Sequence, residues 1–152
     1  MAGGAKAAEL IARGARLALA ALFVYAGVVK ALGPGEFALA IDNYRLLPFP
    51  LAAALALYLP WLEIASGLGV LWPKTRLGAL SLLAGLGLVF LSALASGVAR
   101  GLDIECGCFG HGHAGRPALI ASLVRAALLV LVATALLWRE SRVPQKGKPI
   151  VP

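Results

Sequence analysis

The chain predicts an all-α integral membrane protein: a four-helix bundle, with a short interfacial helix between spans 1 and 2 and an outward-facing Cys-Gly-Cys loop between spans 3 and 4. Three observations lead there. The 152 residues are 61% hydrophobic and only 14% charged, and mean hydropathy is +0.88. Soluble domains sit near half apolar and a quarter charged. The apolar residues fall into four runs long enough to cross a bilayer, and the basic residues cluster at the ends of those runs.

The first span covers residues 10–31, with Arg13 and Arg16 able to snorkel toward one face. A basic start followed by a short apolar run also resembles a signal peptide, but no small-residue cleavage site precedes a soluble domain. Next comes "ALGPGEFALAIDNYRLLPFP", in which Phe37, Ile41 and Tyr44 share a helical face while Glu36, Asp42 and Arg45 point elsewhere. This predicts a short amphipathic helix at the outer interface, ended by Pro48 and Pro50.

The second span, residues 51–72, carries Glu63 near mid-depth, with a kink expected at Pro60. The third, 77–99, has no charge in 23 residues. At ~1.5 Å per residue it is roughly 34 Å long, enough for a hydrocarbon core of about 30 Å. Ser81, Gly85, Ser92 and Ser96 fall on one face of it, a stripe that would suit helix contact or simply reflect composition. The fourth, 117–138, starts at Pro117 and contains Arg125. Residues 1–140 form a single membrane domain, and 141–152 read as a disordered cytoplasmic tail.

Four spans put both termini and the Pro73–Arg76 turn on one side. That side holds Lys6, Arg13, Arg16, Lys74, Arg76, Arg139, Arg142, Lys146 and Lys148, against Lys30, Arg45, Arg100 and Arg116 on the other. Nine against four predicts cytoplasmic termini in the inner (cytoplasmic) membrane and an extracytoplasmic cysteine loop, where a disulfide persists. The same clustering removes the nucleic-acid reading of the +7 net charge, since no basic stripe with interleaved aromatics exists. The expected surroundings are membrane lipid.

"IECGCFGHGH", Ile104–His113, holds both cysteines and both histidines. A disulfide between Cys106 and Cys108 would close a very small ring and constrain almost no chain, so it would stabilise little. Strain makes such a bond easy to reduce, and a glycine between two thiols supplies attack and resolution together. Asp103 and Glu105 oppose thiolate formation, whereas Lys30 at the outer end of the first span favours it. A metal reading would use Cys106, Cys108, His111 and His113, but four ligands within eight residues could hardly wrap a tetrahedral zinc. Two-coordinate Cu(I) or Hg(II) on the thiolates stays open as an alternative. So does a non-catalytic assembly role.

Glu63 and Arg125 are the ionisable residues well inside spans. Counted from the outer side they lie about 18 Å and about 12 Å deep, which predicts an ion pair between the second and fourth spans. Such a pair would fix packing, or line a cavity where it positions a quinone head group or relays protons. Tyr58 and Trp61 would offer a stacking wall for that head group.

"FVYAGVVK" (Phe23–Lys30), "FALAIDNYRLLP" (Phe37–Pro48), "LPWLEIASG" (Leu59–Gly67) and "CGCFG" (Cys106–Gly110) occur in that order, with Arg125 in the last span. In this set the chain resembles the MauE-type proteins of the DoxX-like group of four-helix membrane proteins. The resemblance implies a thiol–disulfide oxidoreductase, with Cys106 and Cys108 as the reacting pair and Lys30, Glu63, Arg125 and Phe109 in support. It also implies a secreted or periplasmic thioredoxin-like partner, as in disulfide formation in the methylamine dehydrogenase small subunit. The methylamine substrate itself is not carried over. Proteins of the wider group are linked to thiosulfate oxidation with quinone, which implies a route to or from quinone beside transfer to another protein or across the bilayer, with the direction of flow open.

Overall fold

The computed structural model describes residues 2–102 and 116–142, all helical apart from short turns. In chain order the helices are α1 (Ala2–Leu32), α2 (Pro34–Asn43), α3 (Phe49–Gly69), α4 (Arg76–Ala99) and α5 (Arg116–Arg142). All but α2 are long and apolar enough to cross a membrane. The protein is a multi-pass membrane bundle. Its outside confirms this: Leu57, Leu88, Val89, Leu128 and Leu131 are all more than half exposed, an arrangement that lipid tolerates and water does not. The predicted tail beyond Arg142 and the whole Cys-Gly-Cys segment lie outside the described residues.

Around the bundle the order is α1, α3, α4, α5. The α1/α3 and α4/α5 seams pack tightly, α3 joins α4, and the α1/α5 seam is the loosest of the four. The tight α1/α3 seam depends on two residues without side chains. A Cβ on Gly27 would meet Ile64 Cγ1 at 2.7 Å and the Pro60 carbonyl at 2.8 Å. One on Gly67 would come within 3.2 Å of the Ala20 carbonyl. In a bilayer such close backbone approach replaces the hydrophobic drive that water would supply.

The predicted small-residue stripe does not share this role. Ser81, Gly85 and Ser92 face outward from α4. The Ser81 and Ser92 hydroxyls donate to their own helix, at the Leu77 and Val89 carbonyls (3.0 and 2.7 Å). A serine hydroxyl satisfied within its own turn needs no neighbouring helix.

The interfacial helix forms where expected, but its end is different. Pro34 suits the first turn, Glu36 adds a favourable negative charge there, and Phe37 and Ala38 are buried against Ala56 of α3. The helix stops at Asn43, and Arg45 takes a positive φ of 50°. Pro48 and Pro50 therefore do not end α2. They begin α3, Pro48 as its extended N-cap and Pro50 in the first turn, where a missing N–H costs nothing. The Arg100 guanidinium, just past α4, donates to the Tyr44 carbonyl and so closes the end of α2. The Tyr44 ring lies 3.3 Å from the position of a Cβ on Gly97. α2 is thereby pinned across the end of the bundle, packed against α3 along its length and against α4 at its tip.

At the opposite end, where α1 starts and α5 finishes, an apolar cluster of Leu19, Val70, Leu80, Leu83 and Leu136 joins α1, α4 and α5 to the residue that caps α3. A charged network sits on it. Glu9 is held by Arg13 (3.2 Å), Arg16 (3.3 Å) and Arg139 (2.9 Å). Glu140 is held by Arg16 and by Arg76 (3.5 Å). Arg76 also donates to the Val70 carbonyl at 3.1 Å, fixing the α3–α4 turn.

Candidate functional site

Near the end that α2 covers, ionisable side chains from three helices gather at one cavity. Glu63 projects from α3 three residues after Pro60, and the helix continues through that proline. Lys30 projects from α1 two residues before its end. Its ammonium donates to both carboxylate oxygens of Glu63, at 2.6 and 2.8 Å. The two residues are 6% and 7% exposed. Burying either charge alone would cost several kcal/mol, so each is the condition for the other's ionised presence here.

Aromatic rings complete the lysine's surroundings. Its nitrogen lies 5.1 Å from the Phe37 ring of α2 and 5.8 Å from the Phe90 ring of α4. Both are within the range in which a ring face attracts a cation. One side chain on α1 thus makes polar contact with α3 and ring contacts with α2 and α4.

The cavity beside the pair has a volume of about 70 Å³. Its polar lining is Lys30, Glu63, Ser122 and Arg125, and its apolar walls include Phe23 and Phe90. A space of that size with several polar partners has room for water molecules.

The predicted Glu63–Arg125 ion pair is therefore corrected. Glu63 takes Lys30 of α1, and Arg125 joins the same cavity from α5. Lys30 is not an interfacial charge facing outward, because α2 roofs the end of α1 and the side chain turns inward to the carboxylate. Tyr58 and Trp61 are 72% and 64% exposed, on the outer surface, and do not line the cavity. Cys106, Cys108, Phe109, His111 and His113 lie outside the described residues. Among the described residues there is no group of three or more His, Cys, Asp or Glu that could hold a metal.

Sequence reasoning missed Phe90 and Ser122 as cavity residues. Phe90 carries no signal in an apolar span. Ser122 does: it precedes Arg125 by three residues, so the two polar groups share a helix face in an otherwise apolar stretch.

The family model described as "Methylamine utilisation protein MauE" matches residues 8–139, a stretch that includes every residue just named. The chain belongs to the MauE family. Curated relatives agree. The chain is 37% identical over 126 residues to the methylamine utilization protein MauE of Paracoccus denitrificans, covering 80% of this chain and 67% of the relative. It is 37% identical over 134 residues to that of Methylorubrum extorquens, covering 87% and 71%. For that of Methylophilus methylotrophus the match is 37% over 99 residues, 64% of this chain and 52% of the relative. The chain thus spans between about half and about 70% of these MauE proteins' own length. No solved structure matches it.

Proposed function

We propose that this MauE-family chain is a thiol–disulfide redox protein of the inner membrane that oxidises an extracytoplasmic, thioredoxin-like partner. By family membership it would act as an accessory protein, as in methylamine utilisation. The observation that carries the reading is the Cys-Gly-Cys sequence, Cys106–Cys108, in the segment joining α4 to α5. In the first step a thiolate of the partner attacks one sulfur of the Cys106–Cys108 disulfide. A mixed disulfide forms and the other cysteine leaves as a thiolate. The partner's second thiolate then displaces that cysteine, so the partner leaves as a disulfide and the pair as a dithiol. Two electrons and two protons have moved to this chain and must go on to an acceptor, a quinone in this proposal.

The strain of so small a ring favours oxidation of the partner over the reverse. Orientation follows from the basic residues. Nine basic residues on the terminal side against four on the other favour cytoplasmic termini and an extracytoplasmic cysteine segment.

Trapping tests this directly. Cys106→Ser and Cys108→Ser variants are expressed in native membranes and run on non-reducing gels, and adducts are identified by mass spectrometry. One variant should accumulate a dithiothreitol-sensitive adduct with a thioredoxin-like protein, which names the attacked cysteine. If neither variant traps a partner and the wild type retains stoichiometric soft metal, the redox reading fails.

A further inference from the structure

We infer that the terminal end of the bundle binds the head group of an anionic phospholipid, whose phosphate is received by Lys6 of α1 and Arg142 of α5 where those helices meet. The inference goes beyond the redox reading and does not depend on it.

Among the described residues this end carries seven basic side chains and two carboxylates, Glu9 and Glu140. The carboxylates engage Arg13, Arg16, Arg76 and Arg139. Lys6, Lys74 and Arg142 have no carboxylate partner among the described residues, and all three are exposed. The clamp between the helices is complete without them, so their charge is open to an anion outside the chain.

The register of α1 and α5 brings two of these cations together. The helices run antiparallel, and Arg139 of α5 reaches across to Glu9 at 2.9 Å and to the Ala8 carbonyl at 2.6 Å. Three residues outward on each helix lead from Glu9 to Lys6 and from Arg139 to Arg142. Residues three apart are neighbours on one helix face, so both cations stay on the sides that meet at the Arg139–Glu9 contact. They flank the outer edge of the α1/α5 seam, one turn beyond that pair. Lys74 lies in the α3–α4 turn, whose Arg76 meets Glu140 at 3.5 Å, and so stands on the α4 side of the same helix end.

Depth and neighbours select a lipid as the source of the anion. α1 has 31 residues, roughly 46 Å at ~1.5 Å per residue, against a hydrocarbon core of about 30 Å. Its other end stops beneath α2, so the excess length projects at the end that carries Lys6. Trp72 and Trp138 are exposed at this end, and indole rings settle at the level of lipid head groups. The Arg142 guanidinium lies 3.8 Å from the centre of the Trp138 ring. The ring covers one face of the guanidinium, and the N–H groups along its edge remain for phosphate oxygens. Leu10, one turn inward from Lys6 on the same face, and Leu17 beyond it are exposed and give acyl chains an apolar track. A soluble anion would match the charge but would leave that track uncovered.

The test uses the full chain purified in detergent, with phosphatidylglycerol, phosphatidylcholine and inorganic phosphate as probes and binding read by native mass spectrometry. One phosphatidylglycerol per chain should bind saturably, at least roughly tenfold more tightly than phosphatidylcholine. Lys6→Gln and Arg142→Gln should each weaken it about fivefold, and the double variant about twentyfold. Both positions are exposed, so neither change disturbs the packing. Arg142→Lys keeps the charge but not the planar fork over Trp138, and should lose less than Arg142→Gln. Arg45→Gln removes the same charge at the end that α2 covers and should leave binding unchanged. Equal retention of the two lipids, or a preference that ignores Lys6→Gln and Arg142→Gln or falls as much in Arg45→Gln, overturns the site. Inorganic phosphate displacing phosphatidylglycerol at equal concentration would assign the two cations to a free anion and overturn the lipid.

Discussion

At the terminal end of the bundle six charged side chains share their partners, whereas at the roofed end one lysine and one glutamate depend on each other. Glu9 touches three arginines and Glu140 two, and Arg16 belongs to both sets. Loss of one member leaves its neighbours paired. Among the described residues Lys30 and Glu63 have no other ion-pair partner, and both are almost fully buried. The first arrangement is a distributed clamp on α1, α4 and α5. The second is a single contact beside a cavity, and a stability requirement alone would have been met more cheaply by two leucines. Redundant charge marks the structural end, and unshared charge marks the end where chemistry is proposed.

The largest expected effect breaks the unshared pair. Glu63→Ala leaves the Lys30 ammonium buried without its carboxylate and should cost about 3–5 kcal/mol. Thermal unfolding in detergent would show it, and Lys30→Met combined with Glu63→Leu should recover most of the loss. If the double variant is no better than the single one, the two residues are not a closed pair.

Arg16→Ala probes the shared arrangement and should cost less, about 1–3 kcal/mol, because Glu9 and Glu140 each keep another arginine. A loss as large as that of Glu63→Ala would erase the contrast. The smallest effect belongs to Arg13→Ala, whose exposed side chain meets Glu9 one turn away. It should change stability by less than about 0.5 kcal/mol. Raising salt from 0.1 to 1 M shortens the screening length from about 10 to about 3 Å. The Arg13 difference should then vanish while the Glu63 difference persists.

The same contrast explains what the sequence revealed and what it hid. Four spans and the interfacial helix were legible because apolar runs and helical periodicity are local properties. Glu63 was legible as an unusual residue, but its partner was not. Depth counted along each span treats every span end as facing water. α2 lies over the end of α1, so Lys30, only two residues from the end of that helix, is in the interior. The contact glycines Gly27 and Gly67 look no different in sequence from Gly85, which faces outward. Only the direction of each helix face tells them apart, and that is set by neighbours far away in the chain. At the terminal end, tallying arginines as topology markers overlooked that Glu9 and Glu140 would recruit four of them.

The Lys30–Glu63 contact also constrains how the protein is made. The two residues are 33 positions apart in the chain, with α2 between them. During synthesis the first span can enter the membrane before the span that carries Glu63 does. An uncompensated charge carried into the hydrocarbon costs up to roughly 2.5–3.5 kcal/mol on insertion scales. The first span therefore gains its full preference for lipid only when α3 arrives beside it and the Gly27 notch closes on Pro60. α1 and α3 are best regarded as one unit of membrane insertion, delivered in two instalments of translation.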